Sequence, residues 1–247
     1  MKKLILAVVL IAIHATGWAA SGGYPLDHAP VNLNNQSSLL RGARLFVNYC
    51  MGCHSAEHQR YNRFARDAGV SEELVAKNLV LTPDTKVGDL MRNTMPKEDA
   101  KTWFGAAPPD LTLIARARGA DYLYTFLRTF YADGSRPSGV NNAAFPATAM
   151  PHVLWELQGI QHAVHEAVTD ENGNQHDAIA GFELAQPGAL TADEYDSAIA
   201  DLVNFLVYIA EPIQLERQRI GFWVLLYLVL AFGVFYLLKR EYWKDVH

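Results

Sequence analysis

Apolar residues along this chain recur mostly at helical spacing, so the pattern predicts a mainly α protein. Ser37 or Ser38 caps a first helix that runs through Tyr49. Within it Gly42 lets another helix approach closely, and Phe46 lies one turn further on. The predicted partner starts near residue 191, where Thr191-Ala192-Asp193-Glu194 has capping-box form. Ile199, Leu202, Val203, Phe205, Leu206 and Ile209 keep its apolar face, and Glu211-Pro212 stops it. Between these two helices the pattern is weaker. Ser71 to Leu81 reads as a short helix, Lys86 to Asn93 as another, and Pro96 to Pro109 as loop. Leu111 to Arg118 and Asp121 to Tyr131 are helical, the second with Tyr122, Phe126, Leu127 and Phe130 on one side. Residues 133–139 are turn chemistry and open a loop that runs to Met150-Pro151. Residues 156–188 look inserted, with Asn172-Gly173 as a hairpin turn.

Two apolar runs break the periodicity, one near each end. Leu4 to Ile13 follows Lys2 and Lys3 and closes on Ala19 and Ala20, the form of a secretory signal over residues 1–20. Ile220 to Leu238 holds nineteen residues without a charge. At 1.5 Å rise each they span about 28 Å, close to the hydrocarbon thickness of a bilayer. Trp223, Tyr227, Tyr236, Tyr242 and Trp243 mark its two ends. The division expected is a signal at 1–20, an exported domain at 21–212, a linker and anchor at 213–238, and a short inner tail at 239–247.

The 247 residues carry a net charge of −5. Without Lys2, Lys3 and the residues after Arg219, 16 basic and 24 acidic residues remain, so the exported domain is near −8. That excludes nucleic acid as a partner and suits a basic protein partner.

The candidate chemistry lies in Cys50-Met51-Gly52-Cys53-His54, a C-x-x-C-H sequence. Two thiols three positions apart can each add to one vinyl group of a porphyrin, and His54 then supplies an axial nitrogen. These are the chain's only cysteines, which leaves none for a disulfide or a four-cysteine zinc site. Export agrees with covalent haem, which is attached outside the cytoplasm. Arg60, Arg63 and Arg66 form a cationic face. His162, His165 and His176 match no metal-ligand spacing and read as surface histidines. A sixth iron ligand comes from Met91, Met95 or Met150, with His152 as a competitor; Met51 lies on the wrong side of the ring. Met95 and Met150 both precede a proline, which stiffens their loops.

The residues Arg41-Gly42, Val47 to Ser55, Tyr61-Asn62-Arg63, Pro108-Pro109-Asp110-Leu111, Ile114 to Arg118, Asp121-Tyr122, Met150-Pro151, Asn204-Phe205-Leu206 and Ala210-Glu211-Pro212, with the C-terminal anchor, resemble the bacterial form of the cytochrome c1 family. The resemblance covers most of the mature chain, with no firm counterpart for 156–188. It implies a class I cytochrome c-like haem domain with a C-terminal transmembrane helix. It also implies one covalent haem c, with Cys50 and Cys53 as attachment points and His54 and Met150 as iron ligands. Arg118 would pair a haem propionate, and Tyr122 and Pro109 would line the same pocket. The implied partners are cytochrome b, a Rieske iron–sulfur protein and a cytochrome c acceptor, in a dimeric respiratory complex. The place implied is the bacterial inner membrane, crossed once, with the haem domain in the periplasm. The rival readings are a haem subunit of another membrane electron-transfer complex, and an open-site haem enzyme or sensor.

Overall fold

The computed structural model describes residues 24–169 and 175–245. The expected signal at 1–20, the Asn172-Gly173 turn and the last two residues of the tail lie outside the described residues. The described residues form two compact units, one of residues 29–120 with 193–245 and one of residues 24–28 with 121–169 and 175–192.

The first unit is built on the predicted helix pair, Gln36–Leu45 and Ala192–Ala210. A Cβ added at Gly42 would lie 2.8 Å from the Cβ of Phe205 and 2.7 Å from the carbonyl carbon of Asp201. Only glycine permits that approach. Beside the crossing, the Arg41 guanidinium grips the Asp201 carboxylate with two bonds, 2.5 and 3.0 Å long. Phe46, Phe64, Phe205 and Tyr208 pack around the crossing with ring centroids 5.4–6.4 Å apart. Buried Asn204 exchanges bonds with the Asn32 backbone and donates to the Ser38 hydroxyl.

The structure corrects several local expectations. The first helix is capped by Asn35, whose side chain accepts from the Ser38 amide, and not by Ser37 or Ser38. It ends at Leu45 and continues as a π-helical turn, Phe46–Cys50. Lys86 to Asn93 is not a helix. The Asp89 carboxylate accepts from the Lys86 amide, the carbonyls of Val87 and Asp89 accept from Asn62 and Tyr61, and Leu90–Met91 is a strand on Ala56–Arg60. Pro96 to Pro109 is not all loop. Lys97–Phe104 is a helix, with Glu98 and Asp99 in its first turn and Gly105 left-handed at φ 79° to end it. The Glu72–Leu79 helix starts at Ser71 as expected. The helix expected from Leu111 is only Ile114–Arg118.

The C-terminal helix of this unit is Gln214–Tyr242. Its apolar residues are exposed around its whole circumference, Trp223, Leu225, Val229 and Phe232 among them. A helix apolar on every face and buried on none is a membrane span, not a core element. Its first turn is tied back to the domain by Glu211, which accepts from the Arg217 guanidinium and lies 3.6 Å from Arg116.

The second unit holds the Ala120–Arg128 helix, which ends three residues before the expected Tyr131 and gives way to a strand that was not expected. Phe130–Ala132 pairs antiparallel with Val140–Asn142. Fully buried Asn142 donates to the Phe126 carbonyl and accepts from the amides of Ala144 and Phe145. The Asn141 side chain accepts from the Ala147 amide, and Arg136 donates to the Ala147 carbonyl. These bonds hang the 143–150 loop from one strand end. The supposed insertion is a long antiparallel hairpin, Gly159–Thr169 with Gln175–Pro187. Gln161 secures it by donating to the carbonyls of Arg128 and Phe130.

Candidate haem-attachment site

The π-helical turn decides where the two thiols go. Met51 donates its amide to the Phe46 carbonyl at 2.9 Å, and the Cys53 and His54 amides both donate to the Cys50 carbonyl, at 3.1 and 2.9 Å. The chain therefore winds tightly around Cys50 and presents Cys50, Cys53 and His54 from one turn. Burial pushes the Cys50 thiol up to about 12 and raises Cys53 as well, so before haem attachment both are protonated thiols at neutral pH. Met51 points the other way. It is buried, and its sulfur accepts from the Tyr61 hydroxyl at 3.3 Å.

His54 is half-buried, and its Nδ1 lies 2.7 Å from the Pro109 carbonyl oxygen. A carbonyl can only accept, so Nδ1 carries the proton. Nε2 is then left with its lone pair, the state a metal-binding imidazole needs. Burial holds the His54 pKa below its usual value, which keeps that lone pair free at neutral pH; the Pro109 bond and Asp110 oppose the shift.

The carbonyl of Pro109 is itself held in place. Asp110 accepts from the Glu57 amide at 2.8 Å and the Thr112 amide at 2.9 Å, and the Leu111 amide donates to the Ser55 carbonyl at 2.8 Å. From the other side Asn93 donates to the Cys53 carbonyl and its amide donates to the Ser55 hydroxyl. Segments 53–58 and 109–112 thus form one bonded frame around the imidazole. Asp110 and Asn93 were not singled out from sequence. An aspartate two residues before Thr112, in a proline-rich turn, was the available signal.

The structure brings Cys50, Cys53, His54 and Pro109 together. Arg118 ends the Ile114–Arg118 helix of the same unit and is exposed. Met91 is fully buried in the strand paired with Ala56. In the second unit Met150 is half-buried, with its amide on the Thr148 hydroxyl at 3.3 Å. His152 is buried there, its ring stacked on Phe130 at 5.0 Å, and burial pushes its pKa down to about 4. Tyr122 stacks on Phe126 at 6.0 Å. Of the three surface histidines, His162 and His165 are exposed, and among the described residues no cluster could hold a metal ion.

The donor set fits a covalent haem: two thiols on one turn, followed by an imidazole whose outer nitrogen is fixed as a donor and whose inner one is free. The Cytochrome C1 family model matches residues 27–177 and 188–246. The chain belongs to the cytochrome c1 family. Cytochrome c1 of Allochromatium vinosum is 50% identical over 247 residues, all of both chains. The protein named ammonia monooxygenase gamma subunit in Nitrosomonas europaea is 45% identical, over 100% of this chain and 99% of its own. The cytochrome b/c1 protein of Bradyrhizobium diazoefficiens is 26% identical over 88% of this chain and 34% of its own length. As a cytochrome c1 family member the chain carries a covalently attached c-type haem and is membrane-anchored, and the family is that of the bc1 complex haem subunit. The family match also narrows the segment without a counterpart. Only residues 178–187, in the return strand of the hairpin, fall between its two parts.

Proposed function

We propose that the chain receives electrons from a Rieske iron–sulfur protein beside cytochrome b and delivers them to a cytochrome c. The haem supplies one-electron redox chemistry when bound. The observation that carries the reading is the His54–Pro109 bond behind the Cys50–Cys53 turn. It fixes the imidazole tautomer and raises its donor strength without a proton having to move. Met150 is the proposed second iron ligand. Met150 is half-buried on a loop anchored by Asn141 and Asn142, while Met51 and Met91 are committed to the core; Met95 is half-buried as well, and the resemblance to the cytochrome c1 family favours Met150 over it. Arg118 is the proposed partner of a haem propionate, because its fork meets a carboxylate bidentately. Tyr122 is the proposed neighbour in the same pocket. The haem domain is proposed to face the periplasm, and the complex to be dimeric.

The test is the optical spectrum of the haem-loaded protein, wild type and Met150→Leu. The weak far-red band of methionine on ferric iron is expected in the wild type and lost in the variant. A wild type without the band that binds carbon monoxide when reduced would refute the relay and favour an open-site haem enzyme or sensor. A second reading, a haem subunit of another membrane complex, is favoured by the name of the Nitrosomonas europaea relative. Co-purification separates the two: cytochrome b and an iron–sulfur protein should accompany this chain.

A further inference from the structure

The anchored unit contains a second concave feature, apart from the Cys50–His54 turn. It is a pocket of about 590 Å³ whose wall includes Arg60, Arg63 and Arg66 on one side and Ile209 and Pro212 on the other. Arg63 pairs with Asp67 at 2.7 Å, and Arg66 lies 3.6 Å from the same carboxylate. Arg60 donates to the Gly88 carbonyl at 2.7 Å, and no acid pairs with it among the described residues. Two of the three guanidinium groups therefore share one carboxylate, which is also engaged by the Tyr208 hydroxyl, and the third has no acid partner among the described residues. The pocket is left with an excess of positive charge and with fork-shaped donors suited to phosphate oxygens.

Its place along the chain indicates where that phosphate comes from. Pro212 is followed at once by the Gln214–Tyr242 helix. The charge-free run starts at Ile220, about 12 Å further along the helix rise. The polar layer on each side of a bilayer is about 5–8 Å deep, so the headgroups reach to within about 4–7 Å of Pro212, and closer where the helix tilts. Glu216, Arg217, Gln218 and Arg219 lie between the charge-free run and the exposed apolar residues Ile213 and Leu215, which flank the pocket. The Glu211 clamp on Arg217 and Arg116 holds this junction to the domain.

We propose that the pocket binds the headgroup phosphate of an anionic phospholipid from the leaflet that the anchor enters. The arginines take the phosphate, and Ile209, Pro212 and the exposed first turn of the anchor lie along the lipid's glycerol and upper acyl chain. The lipid would thereby fix the height of the haem domain above the membrane. An acidic protein segment would meet the same charge, but it would not need the apolar flank beside the anchor. The proposal is independent of the direction of electron flow.

The test uses the full-length haem-loaded protein in detergent micelles, titrated with dihexanoyl phosphatidylglycerol, dihexanoyl phosphatidylcholine and inorganic phosphate, with bound probe read by native mass spectrometry. Phosphatidylglycerol is expected to bind roughly tenfold more tightly than either other probe. The variant R60Q/R63Q/R66Q should lose about that factor, and K77Q/K97Q/K101Q, which removes the same charge elsewhere, should not. R60Q/R66Q, which keeps the Arg63–Asp67 pair, should show most of the loss with an unchanged haem spectrum and melting temperature. Equal binding of the two lipids, or unchanged binding in both arginine variants, would overturn the proposal. So would phosphate binding as tight as phosphatidylglycerol, which would make this a site for free anions. Loss of a co-purified protein without any change in lipid binding would give the pocket to that protein and overturn it as well.

Discussion

Replacing Gly42 by alanine adds one methyl group where the two long helices of the haem unit cross. The new Cβ would sit 2.7 Å from the Asp201 carbonyl carbon, closer still to its oxygen, and 2.8 Å from the Cβ of Phe205. Carbon atoms in contact prefer about 3.5–4.0 Å, so the helices must part by roughly 1 Å. Neither obstacle is a flexible side-chain end, so neither can turn away. The displacement would stretch the Arg41–Asp201 fork and open the packing of Phe46, Phe64 and Phe205. Overpacking of this kind costs about 1–3 kcal/mol, and backbone obstruction belongs at the upper end. Alanine returns up to about 1 kcal/mol through its helix propensity. The net loss expected is about 2 kcal/mol, which for a domain of this size lowers Tm by roughly 4–8 °C. Gly134→Ala, where nothing lies within 4 Å of the added methyl, is the control. The assay is thermal melting of the haem-loaded protein followed at the Soret band and by far-ultraviolet dichroism. A Gly42→Ala protein that melts within about 1 °C of wild type would refute the close crossing.

Asp110→Asn should destabilise the frame behind His54 by about 1.5–3 kcal/mol, because two backbone amides lose a charged acceptor; haem content per chain and Tm check it. Pro109→Ala should cost much less, since the bond to His54 comes from the main-chain carbonyl, which alanine retains. For Glu211 the pKa is held below its ordinary value of 4.5, first by the Arg217 hydrogen bond and further by the charges of Arg217 and Arg116. A depressed carboxylate contributes fully above its unfolded pKa and loses that contribution as pH falls through the folded one. The anchor junction should therefore loosen on acidification below about pH 4.5, seen as faster hydrogen exchange at 214–217, and Glu211→Gln should be loose at every pH. The charge near −8 over residues 21–219 should make the proposed electron delivery to a basic cytochrome c slow as salt rises past about 0.1 M, and a rate independent of ionic strength would refute steering.

The elements legible in the sequence were those that bury a long apolar face or none. The Ala192–Ala210 helix repeats its apolar positions over five turns, and the anchor is free of charge from Ile220 to Leu238, so period and length were enough. The Lys97–Phe104 helix buries only Ala100. It has no apolar stripe to detect, and its markers are at its boundaries: a proline before it, two acids in its first turn, a left-handed glycine after it. The Ala56–Arg60 strand was unreadable for another reason. Ala-Glu-His-Gln-Arg has no strand propensity, and it is extended because Leu90–Met91 and the 109–112 segment take up its backbone bonds.

The site divides in the same way. Covalent attachment needs particular side chains at a particular spacing, so C-x-x-C-H could be read without a structure. Orientation of the imidazole needs only a carbonyl at the right place, and every residue carries a carbonyl. Pro109 could be named from resemblance, but its part is played by an atom that no sequence pattern distinguishes. What sequence does encode is the means of aiming that atom. Two prolines restrict the backbone of 108–109, and Asp110 ties the next turn to Glu57 and Thr112. The specificity of the segment therefore resides in the residues that fix a main-chain direction. A substitution that preserves the fold of 108–112 should spare the haem site even when it replaces the proline itself.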